Sequence, residues 1–358
     1  MPEQAASSRL SRYLAACCAL LIAYASLYPL TGWQPSGLPV FDYLFAPWPR
    51  YFRNEEILVN ILGYGPLGFL LVPALPHRLR APAAILLASL LGALLSFCIE
   101  TAQNFLPTRI SSNVDLGSNA LGTLIGALFG AWWGRPLFDS KGRIQRWRQL
   151  NIVPGRTGDV GLILLALWLL AQSMPDLALF ATGDLRRLIG LPTPLPFQPE
   201  RFITLEAAFV ASSVFALGLF ARCMLQTRPV WPILLLLLAG AASKTLATAV
   251  FVLPGDPWLW LTPGVRQGLS VGGLLLLATL WLPRVHQHAL AGMSLLGAAV
   301  LANLIPENPY LSSAQRFIPG SFQNYHGLLQ LLSGLWPLLA LAYLSALGLW
   351  RGEHLHDR

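Results

Sequence analysis

Three charged residues stand within one short stretch of an otherwise apolar sequence: Glu100, Arg109 and Asp115. Amides accompany them at regular spacing. Glu100 and Gln103 are three apart, Asp115 and Asn119 four apart, and Glu56 and Asn60 four apart further upstream. Residues three or four apart share one face of a helix, so each pair projects from one side of its element. Three chemistries suit such a set. Glu100 and Asp115 could serve a hydrolase as a general acid–base pair, although no histidine accompanies them. Arg109 could bind an anion while the carboxylates and amides bind hydroxyls, as a lipid headgroup or glycan requires. Alternatively the arginine could hold the two carboxylates in a structural ion-pair network, since buried charges need partners. A metal held by Glu100, Gln103 and Asp115 is disfavoured, because Arg109 would compete with it electrostatically.

A second set lies in the C-terminal half. Lys244 is the one charge placed near the middle of an apolar run, and Glu206 lies in a neighbouring run. A lysine stem reaches several ångströms along apolar surface, so the two are expected to pair, either as helix packing or as a proton- or ion-linked transport site. The histidines (His77, His286, His288, His326, His354 and His356) are scattered over loops and the tail, with no facing pair for haem. Cys17, Cys18, Cys98 and Cys223 sit in or beside apolar runs without metal-ligand spacing. Neither a cofactor nor a metal is expected.

The elements that must position these residues follow from composition. The chain has 358 residues, 55% hydrophobic and 11% charged, against about 25% charged in soluble domains. Its mean hydropathy is +0.57. A water-soluble fold of this size cannot hide so much apolar surface, and disorder needs the opposite composition. The fold class is therefore all-α: a polytopic integral membrane helical bundle.

About 20 apolar residues cross a bilayer as a helix. Ten segments qualify: 13–30, 56–75, 82–103, 115–133, 159–179, 202–222, 230–253, 265–283, 289–306 and 327–350. The first also reads as a signal peptide, with Arg9 and Arg12 before the apolar run and Ala23-Tyr24-Ala25 as a cleavage-like site; retention as an anchor is the reading adopted. With the N-terminus inside, fifteen of the 24 basic residues fall on the cytoplasmic side and eight on the other, Lys244 lying within a span. The positive-inside rule then puts both termini in the cytoplasm. A basic loop at 134–158, containing Lys141, Arg143, Arg146 and Arg148, divides a four-span region, 13–133, from a six-span region, 159–350. Such a loop fixes topology and lies on anionic lipid. Nucleic acid is not the partner that the net charge of +8 implies.

On this topology Asn60, Glu100, Gln103, Arg109, Asp115 and Asn119 all fall at the outer ends of spans two to four and are expected to line one outward-facing pocket, with Arg109 bridging a carboxylate. Span four also carries Ser118, Gly122, Gly126 and Gly130, a stripe that admits another backbone closely. Aromatic and proline-rich outer segments, such as Phe45-Ala46-Pro47-Trp48-Pro49, could form an apolar rim for a lipid tail.

The run from Asn60 to Gly68, then Glu100-Thr101-Ala102-Gln103, Pro107-Thr108-Arg109, and Asp115-Leu116-Gly117-Ser118-Asn119-Ala120-Leu121-Gly122 resembles the VanZ-like family over about residues 20–133. The resemblance implies a multi-span membrane domain, a cell-envelope setting and an association with resistance to glycopeptide antibiotics of the teicoplanin type. It supplies no enzyme mechanism, and the six later spans are an extension. Two function classes stay open. One is a membrane protein that recognises or moves a lipid-linked cell-wall or polysaccharide intermediate. The other is a membrane-embedded enzyme acting on such a lipid through Glu100 and Asp115.

Overall fold

The computed structural model describes residues 9–28, 30–35, 37, 39–47, 54–138, 142–174, 176–227, 230–251, 256–307 and 323–356, with side chains omitted at 9, 54–56, 250–251, 323–326 and 350–356. Among residues singled out in the sequence, Trp48, Pro49 and Lys141 lie outside these, as do the side chains of Arg9, Glu56, His326, His354 and His356.

The regular elements of the described residues are helices: α1 (Arg9–Leu27), α2 (Asn54–Ala74), α3 (Ala81–Gln103), α4 (Asn113–Phe129), α5 (Arg135–Phe138), α6 (Arg143–Asn151), α7 (Gly155–Ala171), α8 (Leu185–Leu188), α9 (Pro199–Met224), α10 (Trp231–Phe251), α11 (Pro263–Thr279), α12 (Arg284–Leu304) and α13 (Gln323–His356), with a short 3-10 turn at Asp42–Phe45 and a π-helical turn, Gly130–Gly134, leading from α4 into α5. Each of the ten expected spans coincides with a helix. Eight are long and apolar enough to cross a membrane. The other two, α7 and α11, have 17 residues each, about 26 Å at a rise of about 1.5 Å per residue, at the short end of what spans. The protein is an all-α polytopic membrane protein.

The chain folds as two compact units, one of Met1–Leu150 with Gln323–Leu328, the other of Asn151–Phe322 with Leu329–Arg358. The break falls within the basic segment 134–158, which holds α5, α6 and the start of α7 rather than an open loop.

In the first unit α4 is the central helix. Its glycine face meets α2 at backbone contact: a Cβ on Gly122 would stand 2.5 Å from the Ile61 carbonyl oxygen, and one on Gly126 only 1.9 Å from that of Gly65. Pro73 inside α2 removes the bond that the Phe69 carbonyl would accept, and this oxygen faces Gly130. Polar residues on the same buried side of α4 meet α3. Asn119 donates to the Ser96 hydroxyl at 3.0 Å, and Thr123 fills the hollow at Gly92. Val72, Ala84, Ala88 and Ala127 close the core below.

In the second unit α9 is the most deeply buried helix, with α11 and α12 against it. Gly264, Gly268 and Gly272 let α11 lie close on it, and Phe220 of α9 packs against Trp336 and Tyr343 of α13.

Candidate functional site

The polar residues of the first unit gather where α3 ends and α4 begins. Ser112 starts α4: its hydroxyl accepts from the amides of Val114 and Asp115, satisfying two of the four donors that every helix start leaves open. The Ser112 amide in turn donates to Oε2 of Glu100 at 3.0 Å, and the Ser111 hydroxyl donates to the Glu100 carbonyl at 2.7 Å. Glu100, only 3% exposed, therefore latches the turn between the two helices through both its side chain and its backbone. The pattern Ser112-x-x-Asp115 is a sequence signature of such a cap.

Beside this latch, Asn60 of α2 donates to Oδ1 of Asp115 at 2.8 Å and lies 3.3 Å from the Ser118 hydroxyl. Asp115 and Asn60 thus join α4 to α2, as Asn119 and Ser96 join α4 to α3. Asn119 is buried, and its Oδ1 has no hydrogen-bond partner among the described residues.

Arg109 departs from expectation. It bridges neither carboxylate; its guanidinium donates to the Tyr28 carbonyl. Gln103 likewise donates to the Ser26 carbonyl at 2.9 Å. Both acceptors lie at the C-terminal end of α1, where carbonyls lack intrahelical partners and the helix dipole is negative. A cation there satisfies α1 instead of the carboxylates. Burial lowers the Arg109 pKa from its ordinary value, yet a guanidinium remains charged at neutral pH.

The six expected site residues are thus divided between two layers. Asn60, Glu100, Asp115 and Asn119 form a hydrogen-bonded layer that holds the helix ends. Arg109 lines a cavity of about 440 Å³ at the mouth of the unit, together with Gln34, Asp42, Tyr43, Asn104 and Ser111. Gln103 ties α3 to α1.

Residues 39–47, which wall this cavity, are held by bonds that sequence reading missed. Asn104 donates to the Val40 carbonyl and Asn113 to the Ala46 carbonyl, each at 2.8 Å. The Gln34 amide donates to the Phe105 carbonyl at 2.9 Å. Tyr43 shares a 3.1 Å hydrogen bond with Thr101, and burial raises its phenol pKa despite that bond, with Glu100 adding to the rise. Ile110, in the lining, is 88% exposed, and Phe41 and Phe45, next in sequence to the lining residues Asp42 and Ala46, are exposed as well.

In the second unit Glu206 and Lys244 do not pair. Lys244, 1% exposed, donates to the carbonyls of Met174 and Leu177 at 2.6 and 2.5 Å. Glu206 accepts from the Thr262 hydroxyl at 2.5 Å. The irregular chain after α7 offers the ammonium main-chain oxygens that no helix could spare.

The latch makes a testable distinction. Glu100→Ala leaves the Ser112 amide without its acceptor, and an unsatisfied buried donor costs about 1–3 kcal/mol. The variant is expected to unfold at lower denaturant in detergent, by about that free energy. Wild-type stability together with lost function would instead make Glu100 a ligand-contacting group.

Comparison with curated proteins and with solved structures gives no match. Residues 13–134, from within α1 to the end of the π-helical segment that follows α4, match the VanZ/LLP1 family model. The chain is a membrane protein with an N-terminal VanZ-like domain.

Proposed function

We propose that this protein recognises a lipid-linked cell-wall or polysaccharide intermediate in a bacterial cytoplasmic membrane, with the Arg109 cavity open to the extracytoplasmic side and both termini in the cytoplasm. The cavity supports this reading. A half-buried guanidinium suits a phosphate or other anionic headgroup. Gln34, Asp42 and Ser111 offer partners for sugar hydroxyls, and exposed Phe45 and Ile110 suit the start of a lipid tail. The VanZ-like domain is consistent with a role in the envelope's response to glycopeptides of the teicoplanin type.

Recognition is favoured over catalysis by the state of the two carboxylates. A general acid or base must reach the proton it transfers. Glu100 is buried with one oxygen on the Ser112 amide, and Asp115 holds Asn60. Both are engaged in holding helices.

The test is to purify the protein in mild detergent and identify bound lipids by native mass spectrometry. A polyprenyl-phosphate-linked species is expected with wild type and should fall at least tenfold in occupancy with Arg109→Ala. Equal occupancy in the two proteins, or only bulk phospholipid, overturns the assignment of the cavity. In a background lacking the four native cysteines, an impermeant thiol reagent should label Ile110→Cys and not Gln145→Cys in intact cells; the reverse pattern overturns the orientation.

A further inference from the structure

The second unit contains a cavity of its own. It measures about 60 Å³ and is lined by Thr182, Asp184, Arg186, Glu206, Glu307 and Ser333, among others. Its wall is unusual for a membrane protein. The chain between α7 and α9 is irregular over most of its length and is buried from Leu179 to Thr182. Buried non-helical backbone must find hydrogen-bond partners inside the protein or border a polar cavity.

This segment is fixed at many points. Gln172 accepts from the Phe180 amide at 3.0 Å. Asn303 donates to the Gly183 carbonyl at 2.7 Å and accepts from the Arg186 amide at 2.9 Å. The Gly183 amide donates to the Ser333 carbonyl at 2.7 Å, and Gln330 donates to the Arg187 carbonyl at 2.9 Å. The two arginines are neutralised within the segment, Arg186 by Asp184 at 3.3 Å and Arg187 by Asp176.

Glu206 is left over from this pairing. It is 2% exposed, yet no cationic side chain among the described residues pairs with it. Its Oε2 accepts the Thr262 hydroxyl proton; because that hydroxyl also accepts from the Val265 amide, Thr262 both caps α11 and donates to Glu206. The carboxylate therefore stands at the start of α11, where the helix dipole favours negative charge. Its other oxygen has no partner among the described residues.

We propose that Glu206 and this cavity bind one small monovalent cation of the sodium type. A water needs about 10–15 Å³ of such volume, so the space suits an ion with a few waters and excludes a sugar or an amino acid. Glu206 supplies the charge, and the oxygens of Thr182 and Ser333 are available along the wall. One unpaired carboxylate balances a single positive charge, and among the described residues no three His, Cys, Asp or Glu gather as a centre for a divalent metal.

The experiment uses the full-length protein in detergent and measures ²²Na⁺ binding, together with melting temperature in LiCl, NaCl, KCl and choline chloride at equal ionic strength. Saturable binding near one ion per chain is expected, with a higher melting temperature in sodium than in choline. Glu206→Gln should weaken binding at least tenfold and remove the sodium-dependent shift, because the amide oxygen can still accept from Thr262 while the charge is gone. Undiminished binding in that variant overturns the proposal. So does wild-type protein that shows no saturable binding or is stabilised equally by all four salts, a result that needs no variant to fold.

Discussion

Gly126→Leu is expected to leave almost no folded protein. At this position even a methyl group would lie 1.9 Å from the Gly65 carbonyl oxygen and 2.9 Å from the Phe69 amide nitrogen. Both atoms are backbone, so no side chain can rotate away to make room. Overpacking a close contact usually costs about 1–3 kcal/mol, and here the leucine must force α2 and α4 apart along their length. Helix association in a membrane rests on such packing, because lipid tails offer no apolar drive to bring helices together. Loss of the monodisperse peak in size-exclusion chromatography is the measurement, with Gly117→Leu as control, since a Cβ there meets nothing within 4 Å. A Gly126→Leu protein that elutes and melts like wild type would falsify the backbone contact.

Lys244→Met is the second large effect. The ammonium is buried and donates to the Met174 and Leu177 carbonyls. Methionine fills similar space but leaves these oxygens without that donor, at about 1–3 kcal/mol for each unsatisfied group. We expect a loss of about 2–6 kcal/mol in detergent unfolding on the same basis. The loss should come with faster proteolysis of the segment between α7 and α9, because the lysine ties α10 to it. Leu246→Met, an exposed position on the same helix, should change neither. If Lys244→Met keeps wild-type stability and protease resistance, the lysine does not fasten that segment.

These two cases also show how far the sequence could be read. Helix positions were legible because a bilayer demands long apolar runs, and the glycine stripe of α4 was legible because its period is helical. What the period does not say is which neighbour a face meets. The stripe meets α2, while α3, its neighbour across a short turn, receives the polar residues Asn119 and Thr123. Charge pairing was the weakest inference. Opposite charges suggest a carboxylate partner for Arg109 and Glu206 for Lys244; Arg109 instead donates to the Tyr28 carbonyl, and Lys244 donates to the carbonyls of Met174 and Leu177 rather than to Glu206. Such oxygens carry no letter in the sequence; they become available only where a helix ends or the chain turns irregular. The cavity at Arg109 depends on residues 34–35 and 39–46, a stretch with no long helical periodicity to reveal it.

The way that path is fastened has a consequence for variation. Gln103, Asn104, Arg109 and Asn113 all donate to carbonyls, those of Ser26, Val40, Tyr28 and Ala46. Each donor belongs to α3, α4 or the turn between them, and each acceptor is an atom that every amino acid possesses. The grip is therefore indifferent to which side chains the gripped segment bears, apart from Tyr43 on Thr101 and Phe41 stacked on Phe97. Selection can rewrite most of the rim letter by letter while the four donors keep its outline, so the lining of the cavity can change without the scaffold being refolded.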